Sequence, residues 1–238
     1  MIALRSPQEA IAMLALALLF ALQTAPAPAS APALSIQDEA KALLTRLAER
    51  QSSVKSMRSS YVQERKSALL KDPLVSKGTF LWRKDPGCVV FEVAEPKRAR
   101  IRLDAASYQV FRPDDRQAER FEFESNDLGK ALLQSLSPNA GEMAKGFSVV
   151  SFTRTDGRAE VALEPQVEKM KAFLTAFRIV VREDDMTIEE IAYTDGQGDE
   201  VKIRIEKLER DPPLDDSAFD AALPPGTELL VHKVEKKG

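Results

Sequence analysis

The chain has 238 residues and a formal charge of −3 at pH 7, a length that suits one large domain or two small ones. It is 44% hydrophobic and 30% charged, the balance of a globular protein with a real apolar core. Lys and Arg are scattered along it and not clustered, which argues against a nucleic-acid partner.

Ala10–Leu22 is an apolar run of 13 residues, too short to span a bilayer but right for the hydrophobic region of an export signal. Arg5 supplies a positive charge before it, weakened by Glu9. Small residues follow in "TAPAPASAPALS". Cleavage needs small side chains just before the cut and tolerates Pro poorly just after it. Ala29 and Ala33 meet both demands, whereas Ala27 and Ala31 are each followed by Pro. The expected organisation is therefore a signal peptide over 1–33, cut after Ala29 or Ala33, and a single domain over 34–238. The competing reading of the run is a buried N-terminal helix. Export implies an oxidising compartment, yet Cys88 is the single cysteine, so no internal disulfide forms. Cys88 reads as a small buried hydrophobe in a strand. The mature protein is expected to be soluble and unanchored.

Ser35 is a candidate N-cap, with Asp38 and Glu39 favourably placed in the first turn. Ile36, Ala40, Leu43, Leu44 and Leu47 then recur at helical spacing, predicting a helix from Ser35 into the mid-fifties. Beyond Ser59 the period changes to two. Val75–Arg83 puts Gly78, Phe80 and Trp82 on one face, and Ala99, Ile101 and Leu103 alternate with Arg98, Arg100 and Arg102. Alternation returns in Ala159–Leu163, Phe173–Val181 and Val201–Ile205. Turn signals separate these runs, among them Lys84–Gly87, Arg112–Asp115, Thr155–Gly157 and Asp195–Gly198. One apolar and one charged face per strand is the pattern of an antiparallel sheet with one side in water. One insertion breaks the series: Leu128, Ala131, Leu132 and Leu136 share one side of a short helix that stops before Pro138.

Most catalytic chemistry lacks its residues. His232 is the single histidine, so histidine-based metal sites and Ser-His triads have almost nothing to work with. No Gly-rich phosphate loop or dinucleotide fingerprint occurs. Carboxylate pairs such as Asp184-Asp185 and Asp215-Asp216 fall in turns. No enzyme, cofactor or metal is expected.

From the start of the helix onward the chain resembles the periplasmic outer-membrane lipoprotein carrier (LolA) family along nearly its whole length. A leading amphipathic helix enters Val54 and a strand with Tyr61 and Gln63, where the family has an aromatic followed by Gln two residues on. Gly78-Thr79-Phe80 leads to Pro86, then come Phe91 and Pro96, Leu103-Asp104, and Tyr108-Val110-Phe111-Arg112-Pro113. Phe219 and Leu223-Pro224-Pro225-Gly226-Thr227 look like the family's closing segment. Each piece alone is unspecific; the ordered set is more telling.

The resemblance implies a mainly β, α+β fold: an incomplete, strongly curved antiparallel barrel of about ten or eleven strands, its concave apolar face covered by an N-terminal helix and a helical lid. It implies a soluble periplasmic carrier, expected as a monomer, that shields lipoprotein acyl chains. An inner-membrane lipoprotein-releasing transporter would load it and an outer-membrane acceptor unload it. The alternative is an envelope carrier or sensor of another lipid or lipoprotein class. Phe80, Trp82, Phe91, Ile101, Val110, Phe177 and Ile203 are the candidate cavity residues, and Leu128, Leu132 and Leu136 the candidate lid. The family places an Arg directly before the turn Pro, where it helps hold the lid; here that position is Asp85, leaving Arg83 or Lys84 as the candidate latch. Gly78 is expected to leave room that something other than protein fills, and Trp82 to be partly open to small solutes.

Overall fold

The computed structural model describes residues 35–136, 147–166, 171 and 174–234. The expected signal peptide, with its candidate cleavage sites after Ala29 and Ala33, lies outside the described residues. So do residues 137–146.

Helix α1 runs Ile36–Ser52. Ser35 caps it as the sequence predicts: its hydroxyl accepts the Asp38 backbone N–H at 3.2 Å, and the Asp38 carboxylate accepts the Ser35 backbone N–H at 3.3 Å. Strands β1 (Ser56–Lys66), β2 (Leu74–Arg83), β3 (Cys88–Glu95), β4 (Ala99–Asp104), β5 (Ser107–Arg112) and β6 (Gln117–Phe123) follow. Helix α2 spans Asn126–Leu136. Then come β7 (Phe147–Thr155), β8 (Arg158–Pro165), β9 (Leu174–Arg182), β10 (Thr187–Asp195), β11 (Glu200–Arg210), a 3-10 turn over Asp216–Phe219, and β12 (Glu228–Val234).

The fold is mainly β. One open sheet of 12 strands has the order β12-β6-β5-β4-β3-β2-β1-β11-β10-β9-β8-β7. That is one or two strands more than expected. The hairpins of this sheet pair antiparallel, but β12 runs parallel to β6, from Glu228 opposite Gln117 to Val234 opposite Phe123. A parallel partner cannot follow through a tight turn. The chain reaches β12 only after the long segment from Asp211 to Thr227.

The chain divides into two compact units, to both of which β1 and β11 contribute. The first draws its described residues from within Met1–Ser53, Arg65–Pro73 and Pro138–Ile203. In it, the apolar stripe of α1 (Ala40, Leu43, Leu44, Leu47) packs on Ala159, Val161 and Leu163 of β8 and on Phe177, Ile179 and Val181 of β9. All ten side chains are buried. Around this core Arg154 pairs with Glu39 of α1 and with Glu183, and Arg65 reaches Asp195 and Asp199 at 3.1 and 2.8 Å.

The second unit is Val54–Glu64, Leu74–Ser137 and Arg204–Gly238. Asp211 ties its β1 start to the end of β11, accepting the backbone N–H groups of Lys55 and Ser56 at 2.6 and 3.0 Å. Those two bonds hold the Asp211 carboxyl below its usual range.

Candidate functional site

Strand register in the second unit sorts its apolar residues into rows. Phe80, Phe91, Ile101 and Val110 form one row across β2, β3, β4 and β5. Trp82, Val89, Leu103 and Tyr108 form the next, toward the turns that follow β2 and β4. Gly78, Val93 and Ala99 lie on the other side of the Phe80 row. The Trp82 row is buried throughout, whereas Phe80, Phe91, Ile101, Val93 and Ala99 are half-buried.

This gradient follows the position of α2, which packs on β3, β4 and β6. A Cβ at Gly129 would fall 2.1 Å from the Ala105 carbonyl oxygen, so glycine alone permits α2 to approach the β4–β5 turn so closely. Leu133 is buried, its Cδ1 3.2 Å from where a Cβ of Gly87 would stand in the β2–β3 turn. The helix covers one end of the apolar face.

The sequence candidates accordingly part company. Phe80, Phe91 and Ile101 come together on the half-open row, with Val110 buried at its end. Phe80 and Phe91 rings lie 5.1 Å apart. Trp82 is 5% exposed, which corrects the expectation that small solutes reach it. Phe177 is 2% exposed in the α1–sheet core of the first unit, with the Phe147 ring 5.8 Å away. Ile203 is half-buried on β11 of that unit. On α2, Leu128 is 38% exposed, and the side chains of Leu132 and Leu136 lie outside the described residues. Among the described side chains of α2 Leu133 is the buried leucine, and the sequence reading missed it. Its signal was Gly129, four residues earlier on the same helix face.

The room expected at Gly78 is taken by protein. Its position faces the Glu92 backbone carbonyl, and the Tyr61 hydroxyl stands 3.0 Å from where a Cβ would be. Tyr61 in turn packs edge-on against Phe91, with ring centroids 6.2 Å apart.

Arg83 is also placed differently from expectation. Strand alternation puts it with Leu81, opposite Cys88, and the C-terminal segment holds it there. Its guanidinium donates to the Asp216 carboxylate at 2.6 Å and the Pro86 carbonyl at 3.1 Å, and lies 4.4 Å from the Phe219 ring centroid. Arg83 therefore clasps the Asp216–Phe219 turn and not α2. Lys84 is exposed in the β2–β3 turn, its backbone N–H donating to the Lys55 carbonyl.

The face read as solvated is largely covered by that same segment. Phe219 is buried with Leu81, Cys88 and Val90. Arg100 donates to the carbonyls of Ala218 and Asp220, Arg102 to that of Phe219, and Gln109 to that of Ala221. Arg120 holds the Gln109 amide oxygen at 2.6 Å. Guanidinium donors thus satisfy carbonyls that a non-regular segment leaves unpaired. Burial pushes the Cys88 thiol up and lowers Arg100. Burial also acts on Asp104, but Arg102 and the Ser107 and Ala106 N–H groups outweigh it and leave this carboxyl below its usual range.

A groove of about 640 Å³ opens in the second unit, lined among others by Tyr61, Gly78, Thr79, Val93, Ala99 and Phe111. Lys77, Arg98 and Arg100 stand around it, each paired with a carboxylate: Glu95, Asp114 and Glu92. Among the described residues no cluster of His, Cys, Asp and Glu could hold a metal, and no helix is long and apolar enough to cross a membrane.

The model of the family described as outer membrane lipoprotein carrier protein LolA matches residues 52–222. No curated protein matches the chain. Among solved structures, an uncharacterized conserved protein from Thermus thermophilus superposes with a TM-score of 0.53 at 8% identity, over 82% of this chain and 99% of that one. At that identity the likeness concerns the fold alone. An outer membrane lipoprotein-sorting protein domain from Vibrio parahaemolyticus reaches a TM-score of 0.43 at 9% identity, covering 76% of this chain and 95% of that one. The Mycobacterium tuberculosis lipoprotein LppX reaches 0.45 at 12%, over 75% and 98%.

Proposed function

The chain belongs to the outer membrane lipoprotein carrier protein LolA family, and on that premise we propose that it ferries lipoproteins across the periplasm, from inner to outer membrane. The observation that carries this reading is the register-matched row of Phe80, Phe91 and Ile101, large apolar side chains that stay half-buried beside the fully buried Trp82 row. A core would close over such a row. A carrier leaves it available to cargo.

The energetics fit the task. Moving an acyl chain from water to apolar surroundings is worth roughly 0.8 kcal/mol per methylene, so one long chain represents on the order of 10 kcal/mol. A lipoprotein leaves a membrane only if the carrier offers comparable cover, and it leaves the carrier only if that cover can be removed. Helix α2, seated over one end of the face through Gly129 and Leu133, is the element whose shift would uncover more of it. An inner-membrane releasing transporter and an outer-membrane acceptor would drive loading and unloading, since no nucleotide motif in this chain supplies energy. The role requires no catalysis.

The test is mass spectrometry of ligands bound to the protein purified from its native periplasm. Lipidated cysteine peptides are the expected cargo. Recovery of phospholipid or free fatty acid alone would place the protein among carriers of another lipid class. An empty protein that also fails to take up a synthetic lipopeptide would refute the reading.

A further inference from the structure

Tyr61 is the one aromatic residue of the apolar face of β1 that carries a hydrogen-bonding group into the neighbourhood of Phe80 and Phe91. It is 5% exposed, and its hydroxyl is shielded from solvent with no protein partner among the described residues. Leaving a buried hydroxyl unpaired is costly, and a phenylalanine would fill the same space without that cost. The Phe91 ring edge lies on one side and the Gly78 backbone on the other, where the Glu92 carbonyl oxygen also faces. Burial pushes the phenol up to about 12, so it keeps its proton at any physiological pH and is available as a donor. The groove of about 640 Å³ has Tyr61, Gly78, Val93 and Ala99 in its wall, together with the register row Thr79, Glu92, Arg100 and Phe111 that adjoins the Phe80–Phe91–Ile101 row.

We propose that the Tyr61 hydroxyl is the polar anchor of the cargo site, donating a hydrogen bond to an ester or amide carbonyl at the head of an acyl chain. This rests on the carrier reading and adds to it a ligand class: acyl chains bearing a carbonyl, as against plain hydrocarbon. The chemistry is matched on both sides. A carbonyl entering an apolar site must find a donor, and this donor stands unpaired there. The bond positions the chain head beside the Phe91 ring, and the remaining methylenes follow the Phe80–Phe91–Ile101 row.

The experiment compares the full mature protein with Tyr61→Phe. The probes are a triacylated lipopeptide with ester-linked chains and its analogue with ether links at those positions. Wild type should bind the ester form more tightly. Tyr61→Phe should lose roughly three- to tenfold for the ester form and little for the ether form, while its thermal midpoint stays level or rises. A readout independent of the variant is the infrared stretch of ¹³C-labelled ester carbonyls, which should move to lower wavenumber on binding wild type. Equal loss on both probes would assign Tyr61 a packing role only, and no loss with an unshifted carbonyl would remove it from the site; either overturns the anchor while leaving the carrier intact. Failure of wild type to bind either probe overturns the carrier reading itself, and the anchor with it.

Discussion

In the first unit Phe177, Ile179 and Val181 lie in one core with Leu43, Leu44 and Leu47 of α1, all of them almost inaccessible. In the second unit Phe80, Phe91 and Ile101 keep part of their surface open, and the described side chains of α2 cover the Trp82 end of the face. The first set alternates along one strand and the second lines up across three, but each occupies the apolar face of its strands. The difference lies in the covering helix. Helix α1 presents four apolar residues along 17 and caps its own start, whereas α2 has 11 residues and meets the sheet at Gly129 and Leu133. An apolar sheet face becomes a core where a long helix closes it, and stays half-open where a short one stops short.

Truncation separates the two most sharply. Phe177→Ala should cost about 3–5 kcal/mol of unfolding free energy, as large cavities do. Phe80→Ala, removing a half-buried ring, should cost only about 1 kcal/mol yet weaken acyl-ligand affinity. Urea midpoints and lipopeptide titrations on both variants would show it, and equal stability losses would erase the distinction. Next in size is Leu133→Ala, at about 2–3 kcal/mol. It should also make Trp82 emission quenchable by a small aqueous solute, which the wild type resists; a Trp82 that stays shielded would mean that α2 is not its cover.

A smaller effect is expected on the opposite face. Arg83→Met should lose about 1 kcal/mol, because Asp216 is exposed and its pairing weak, leaving the Phe219 ring and the Pro86 carbonyl as the contacts that count. Acyl affinity should not change, and a loss there would return Arg83 to the role of a lid latch. Smallest is a pH effect at Asp104. Its folded carboxyl lies below the ordinary range, so its contribution is full above about pH 4 and fades as pH falls through the lowered folded value. Asp104→Asn should therefore be less stable than wild type at pH 7 and converge with it in strong acid. Parallel urea-midpoint curves against pH would contradict that sign.

Much of the fold is legible in the residues. Leu43, Leu44 and Leu47 at helical spacing, the cap at Ser35 and the two-residue alternation in β2, β4, β8 and β9 each name an element, because local periodicity is a property of the chain alone. The site is less so. Phe80 and Trp82 share one face of one strand and carry the same signal, and what divides them is the end at which α2 sits. The insertion helix itself is visible, but its apolar spacing points to Leu128, Leu132 and Leu136, whereas among the described side chains Gly129 and Leu133 make the contact; a glycine adds nothing to such a count, though it marks the closest approach. Arg100 and Arg102 look like a solvated strand face, yet they bind carbonyls of a segment more than a hundred residues later. No periodicity reports a contact at that separation. Tyr61 enters the sequence reading only through the family's aromatic-x-Gln resemblance, and its unpaired hydroxyl emerges only once its neighbours are known to be Gly78 and Phe91.

The central claim is that acyl cargo lies on the Phe80–Phe91–Ile101 row of the second unit and not within the α1-covered core of the first. A lipopeptide carrying a photoreactive diazirine in its acyl chain, bound, irradiated and mapped by peptide mass spectrometry, tests it directly. The account predicts label on β2, β3 and β4, around Phe80, Phe91 and Ile101, and none on β8 or β9 around Val161, Phe177 and Ile179. Label concentrated on β8 and β9, or scattered evenly over both units, would contradict it.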